Sequence, residues 1–294
     1  MDTAHDHLMN TGLDALSRSF VTPEVTFEQF MHGHVGASIL AASFLLTDGL
    51  VEASAGTAIL AMHEREYATS PLCRPMPPAL SAPAALNRFL ALLPRAFTDS
   101  CHVGHNVIYP TFALRAFHRN PELVTEERID GICRIAEGFL PKERHVFPEP
   151  DPFEARAFSA WVLAAFLECV ERYRGHGQGH AGHILTYGQS VQDLHALGHP
   201  DLARIAEAGF RDYVAVSLRG PEGWGPSAAR VDPQPRALDP RQTRYWQDRA
   251  TSTENAYFVH DTKYAYALIH HCRQAQDEAL EARALAVYHL VAGF

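Results

Sequence analysis

The chain contains only two lysines, Lys142 and Lys263, and the second stands three residues after a histidine in an apolar stretch, Ala256-Tyr257-Phe258-Val259-His260-Asp261-Thr262-Lys263-Tyr264-Ala265. The other basic positions are arginines, so a lysine here is not drawn from a general supply of surface charge. His260 in turn belongs to a set. His34-Val-Gly-Ala-Ser38, His105-Asn-Val-Ile-Tyr109, His183-Ile-Leu-Thr-Tyr187 and His260-Asp-Thr-Lys-Tyr264 each place a histidine one helical turn before a tyrosine, or before Ser38 in the first case. The histidines are spaced by 71 (105 − 34), 78 (183 − 105) and 77 (260 − 183) residues. A period of that length predicts helical units around a common centre, each turning one histidine inwards.

Neutral imidazole is a common ligand for divalent iron, zinc, copper and nickel, and helical bundles build such sites from side chains on facing helices. The four histidines therefore predict a metal site. Lys263 lies at i+3 from His260, on the same helix face. A protonated ammonium there would repel a dication. It must be deprotonated by desolvation, displaced from the metal, or converted by carbon dioxide into an anionic carbamate that can serve as a ligand. Asp261, His102, His180 and His32 are candidates for partners that orient the ligands, and a slip of register would make His32 or His180 the ligand in place of His34 or His183. Lys263, Tyr109, Tyr187 and Tyr264 are the catalytic candidates, the tyrosines alternatively packing one turn beyond each histidine. With 18 histidines in the chain, any single one is more readily a surface or core residue than a ligand; the shared register sets these four apart. His176, His195, His199, His270, His271 and His289 read as surface or connecting residues.

The elements that position these residues are almost all helical. Thr26-Phe27-Glu28-Gln29 is a capping-box pattern, and the helix it opens extends to about Leu46 on three-to-four spacing. Asp151-Pro152-Phe153-Glu154 offers an N-cap, a first-turn proline and an acidic third residue, and Asp239-Pro240-Arg241-Gln242 repeats the signal. Proline-rich breaks fall at 71–83, 141–152 and 219–240. Few runs alternate apolar and polar residues between turns, so strands are at most minor. The expectation is a single all-α domain over 1–294, a bundle or toroid of about four helical units around a central metal site.

Composition narrows the function classes. No apolar run reaches the roughly 18–20 residues that span a bilayer, and the N-terminus lacks the basic and apolar regions of a secretion signal. The five cysteines are scattered without a C-x-x-C and read as reduced thiols of a cytoplasmic protein. A formal net charge of −9 opposes phosphate backbones, so neither nucleic acid nor a membrane is an expected partner. Gly175-His176-Gly177-Gln178-Gly179 lacks the preceding strand and Lys-Ser/Thr ending of a phosphate loop. Neither a dinucleotide fingerprint nor a G-x-S-x-G elbow is present.

Phe30-Met31-His32-Gly33-His34, Gly104-His105-Asn106-Val107-Ile108-Tyr109, His180-Ala181-Gly182-His183 and His260-Asp261-Thr262-Lys263 together resemble the questin oxidase-like proteins, over about residues 25 to 290. The motifs are short, and the chain is shorter than the fungal members. The resemblance implies an oxidoreductase of aromatic natural-product pathways that cleaves oxidised rings. Some members are described as Baeyer–Villiger-type oxidases using a nicotinamide cofactor, which makes NADPH an implied cofactor without a fingerprint here. In at least one, a non-haem iron is held by four histidines and a carboxylated lysine. Carried over by position, those ligands are His34, His105, His183, His260 and Lys263. The expected function is a non-haem Fe(II) oxygenase using dioxygen on an aromatic or natural-product small molecule. Its rivals are a zinc-dependent hydrolase and a non-catalytic helical protein that binds a small ligand. Trp224, Tyr245, Trp246, Tyr257 and Phe258 are expected near the mouth of the site, where they could flank an aromatic ligand.

Overall fold

Four segments of this chain have no exposed face. Residues 36–45, 105–114, 181–194 and 261–269 are buried without interruption, so the helices that carry them lie inside a larger assembly. In the computed structural model these segments belong to α2 (Phe27–Thr47), α5 (His105–Arg119), α8 (Gly179–Ala196) and α11 (Phe258–Ala275). They pack in chain order, α2 on α5, α5 on α8 and α8 on α11, and α11 packs back on α2. The structure describes residues 3–19, 27–67, 69–98, 101–141, 148, 150, 152–224, 239–251 and 258–292. Among these, all regular structure is helical, as the sequence predicts.

Among the described residues, eight further α-helices jacket the inner four. α1 (Thr3–Arg18) lies on α2 and on α6 (Glu126–Gly138), which pairs with α4 (Leu86–Ala96). α3 (Ala55–Tyr67) pairs with α10 (Thr243–Thr251). α7 (Ala155–Arg172) packs on both α8 and α11, α9 (Pro200–Ser217) on α8, and α12 (Glu278–Ala292) on α7 and α11. No helix among the described residues is long and apolar enough to cross a membrane, and the four described cysteines, Cys73, Cys133, Cys169 and Cys272, are unpaired.

Helix starts correct two sequence expectations. α7 is capped by Glu154, whose carboxylate accepts from Arg156 N at 3.1 Å and Ala157 N at 2.6 Å; Asp151 lies outside the described residues. Asp239 spends its carboxylate on a tight turn and ion pair with Arg241. α10 therefore opens at Thr243 instead, where Glu52 accepts from Thr243 N at 2.9 Å. Thr26, the expected cap of α2, lies outside the described residues.

The inner helices all run the same way. Their histidines meet near the N-terminal ends, as described below, and a second set of polar groups meets towards the C-terminal ends. There Arg115 of α5 pairs with Asp48, just past α2, at 2.5 Å and with Asp193 of α8. Its guanidinium lies 5.0 Å from the Phe44 ring and 5.5 Å from the Tyr266 ring of α11. With a rise of about 1.5 Å per residue, the ten-residue step from His105 to Arg115 puts this ionic group roughly 15 Å from the histidines. It binds three of the four helices together without touching the candidate site.

Candidate metal centre

The four imidazoles form a square in chain order. Ring centroids are 4.5 Å apart for His34–His105, 4.6 Å for His105–His183, 5.4 Å for His183–His260 and 4.4 Å for His260–His34, with a His34–His183 diagonal of 6.5 Å. His34, His105 and His183 are buried and offer ligand nitrogens within 4.8 Å of one another. No nitrogen of His260 joins that three-histidine group; its half-buried ring completes the square. Lys263, fully buried, points its amine into the same space, with Nζ 3.2 Å from His105 Nε2. His105 Nε2 is also 3.2 Å from His183 Nε2.

These distances fit a metal ion. Two nitrogens bound at about 2.0–2.1 Å and separated by 90–109° lie roughly 2.9–3.4 Å apart. For rings pointed at the ion, the same bond plus about 1.1 Å from ring nitrogen to centroid puts each centroid roughly 3.2 Å from the metal. Half the 6.5 Å diagonal agrees with that distance.

Electrostatics favours the ligating forms. Burial drives His183 and His260 well below the usual imidazole range. Burial likewise pushes Lys263 well below the usual lysine range, because a dry interior penalises the ammonium. His183 Nδ1 lies 2.6 Å from the Gly179 carbonyl. A carbonyl can only accept, so Nδ1 carries the proton and Nε2 presents its lone pair. His34 Nδ1 is held at 2.7 Å by the Tyr109 hydroxyl, so Nε2 is the nitrogen His34 can offer as a ligand.

Several expected site residues stand elsewhere. His32 is exposed, because residues two apart on a helix face different ways. His180 turns outwards to α9, with Nδ1 3.3 Å from the Tyr213 hydroxyl and its ring 5.2 Å from that of Tyr173; His183, not His180, belongs to the cluster. Asp261 faces away from the imidazoles and pairs with Arg249 of α10, both fully buried. Tyr109, Tyr187 and Tyr264 are buried within the bundle, and Tyr109 and Tyr264 touch histidines, with Tyr109 Oη 2.7 Å from His34 Nδ1 and Tyr264 Oη 3.0 Å from His183 Nδ1. Tyr245 and Trp246 do not line a mouth: both are buried on α10, Tyr245 against Tyr288 and Trp246 donating Nε1–H to Pro240 O at 2.8 Å. The side chains of His102, Trp224, Tyr257 and Phe258 lie outside those the structure describes.

His271, expected near the surface, is a core residue. Its Nε2 donates to Leu185 O at 3.0 Å and its Nδ1 lies 3.0 Å from Ser159 Oγ. Burial lowers its pKa from 6.5 to about 4. The unfolded chain then binds the extra proton first as pH falls, so stability present above pH 6.5 is lost on the way to pH 4, by about 3 kcal/mol. Chemical denaturation across that range should show the slope, and His271→Gln should remove the share that His271 contributes.

Residues that sequence reasoning passed over are Arg249 and the glycines Gly33, Gly104 and Gly182. The glycines carried a signal, since each directly precedes a site histidine; nothing in the string marked Arg249. No protein-family model, curated protein or solved structure matches the chain.

Proposed function

We propose that this chain is a non-haem iron(II)-dependent oxygenase acting on a small molecule, aromatic or of natural-product type. Iron would be held by His34, His105, His183 and His260, with Lys263 as a fifth donor. The supporting observation is the buried square of imidazoles with the Lys263 amine 3.2 Å from His105 Nε2. Four imidazoles and a fifth donor from Lys263 exceed the three protein ligands that catalytic zinc keeps beside its open position, which favours a metal of higher coordination number. When bound, iron(II) supplies a redox centre for dioxygen and a template that orients the reactants. The choice of iron and of an aromatic substrate also leans on the likeness of the four motifs to the questin oxidase-like proteins. NADPH has no place in this proposal.

The protein's own groups prepare the site. Burial keeps the His183 and His260 imidazoles neutral, and the Gly179 carbonyl turns a lone pair of His183 towards its neighbours. The neutral Lys263 amine is the form that adds to carbon dioxide. Its nitrogen lone pair bonds to the carbon, one N–H proton leaves to solvent, and the resulting carbamate supplies an anion that a set of neutral imidazoles lacks.

The test is elemental analysis of the full chain, purified under nitrogen without a metal-binding tag. We expect about one iron per chain, lost in His105→Ala or His183→Ala by more than the roughly 100-fold upper range for partners outside the ligand shell, together with substrate turnover that requires dioxygen. Lys263→Arg should abolish turnover, because a guanidinium cannot be carboxylated and stays charged. Zinc at that stoichiometry with oxygen-independent turnover would replace the proposal with a hydrolase. No metal after reconstitution would leave a helical ligand-binding protein.

A further inference from the structure

The tyrosines and glycines of the repeat interlock from one helix to the next. A Cβ placed on Gly33 would stand 2.4 Å from Tyr109 Cε2, on Gly104 2.2 Å from Tyr187 Cδ1, and on Gly182 2.3 Å from Tyr264 Cζ. Each tyrosine ring thus occupies the place of the side chain that its neighbour's glycine lacks. Gly104 has a second reason to be glycine, since it adopts the left-handed conformation at φ 87°. Helical side chains lean towards the N-terminus. A tyrosine one turn after its own histidine therefore reaches back to the level of the imidazoles, and it lands on the preceding helix of the ring.

We infer that Tyr109 and Tyr264 are positioning residues, each fixing the ring orientation of the histidine on the helix before its own, Tyr109 also setting the tautomer of His34. Tyr109 on α5 holds His34 of α2, its hydroxyl 2.7 Å from Nδ1. Tyr264 on α11 holds His183 of α8, its hydroxyl 3.0 Å from Nδ1, and donates to the Gly179 carbonyl at 3.4 Å. Because that carbonyl also takes the His183 Nδ1 proton, the tyrosine oxygen is left to share it as an acceptor. The same polarity at His34, with Nδ1–H donating to Tyr109, presents Nε2 as the ligand nitrogen at both corners. The ring of Tyr187 stands at the equivalent place beside Gly104.

The fourth corner departs from the pattern at both positions together. Val259 stands where glycine would precede the histidine, and Ser38 stands where the tyrosine would follow. At this corner a larger residue replaces the glycine and a smaller one replaces the tyrosine, so the phenol is lost. The Ser38 hydroxyl instead donates to Thr262 Oγ1 at 3.3 Å, tying α2 to α11. Three corners thus share one device and the corner at His260 uses another.

The inference rests on the metal-centre reading for what the histidines hold, but the interlock can be tested apart from it. The probe is imidazole nitrogen NMR of the full chain, metal-free and then titrated with cobalt(II), for wild type and for Tyr109→Phe, which keeps the ring against Gly33 and removes only the hydroxyl. In the metal-free wild type we expect His34 and His183 in the Nδ1–H form. In Tyr109→Phe, His34 should become a mixture of tautomers while His105, on the same helix as the substitution, stays unchanged. Cobalt affinity should fall about 10- to 100-fold with the thermal midpoint nearly constant. An unaltered His34 tautomer, or a change at His105 instead, would overturn the inference. A wild type that binds no cobalt would sink the metal reading alone, with the tautomers still deciding the interlock. Should the variant not fold, the wild-type spectrum decides: Nε2–H at either His34 or His183 refutes the assignment.

Discussion

Lys263→Met should weaken metal binding and, in the metal-free protein, raise stability. Lys263 is fully buried among imidazoles, and burial alone pushes its amine well below the usual lysine range. Methionine has nearly the same length and shape without the polar group, so the substitution removes a desolvated nitrogen at little packing cost. We expect the metal-free variant to gain about 1–3 kcal/mol at neutral pH. The sign follows from linkage. The unfolded chain protonates this lysine below about pH 10.4 and the folded chain does not, so the native lysine costs most at neutral and acid pH and least above pH 10. Paired denaturation curves and metal titrations check both halves. A lysine that merely fills space would show neither the gain in stability nor the loss of metal. Opposite effects on stability and binding are what a site held against the preferences of its surroundings should give.

Arg249→Ala should be the most damaging single change away from the imidazoles. Arg249 and Asp261 are 2 % and 0 % exposed and form an ion pair between α10 and α11. Burial pushes the Asp261 carboxyl up, and the guanidinium opposes that push. Truncating the arginine leaves a buried carboxylate without its cation, at a cost of about 3–5 kcal/mol near neutral pH. A carboxyl whose folded pKa is raised is relieved by protonation, so the loss should shrink as pH falls and grow as it rises. The double replacement Arg249→Met with Asp261→Leu should recover much of the stability, since the pair contributes little beyond satisfying itself. Because Asp261 directly follows His260, the single variant should also lower metal affinity. Thermal melts at several pH values distinguish this from a simple packing defect, which would be insensitive to pH.

The helical class and the convergence of His34, His105, His183, His260 and Lys263 on one buried cluster could be read from the string, and for a common reason. Helical periodicity is a local property, and a histidine repeated in one register within apolar surroundings has few other uses. What misled was direction at short range. His32, His180 and Asp261 stand two, three and one residues from a ligand, and such neighbours point wherever the helix turns them: to solvent, to Tyr213 and to Arg249. Tyr245 and Trp246 read as pocket aromatics because an aromatic pair carries no mark of whether a partner or a ligand covers it; Tyr288 and the Pro240 carbonyl do.

Which residues share a register is legible along the chain, and with it the turning of one histidine per unit towards a common centre. How those units join is a matter of packing between distant helices. That Tyr109 serves His34 and Tyr264 serves His183 depends on the order in which α2, α5, α8 and α11 pack and on their common direction. The decisive contacts are 75 and 81 residues apart in the chain, and closing such loops is governed by the global fold rather than by any local preference. The glycine before each of three histidines was visible from the start; what it makes room for lies on another helix.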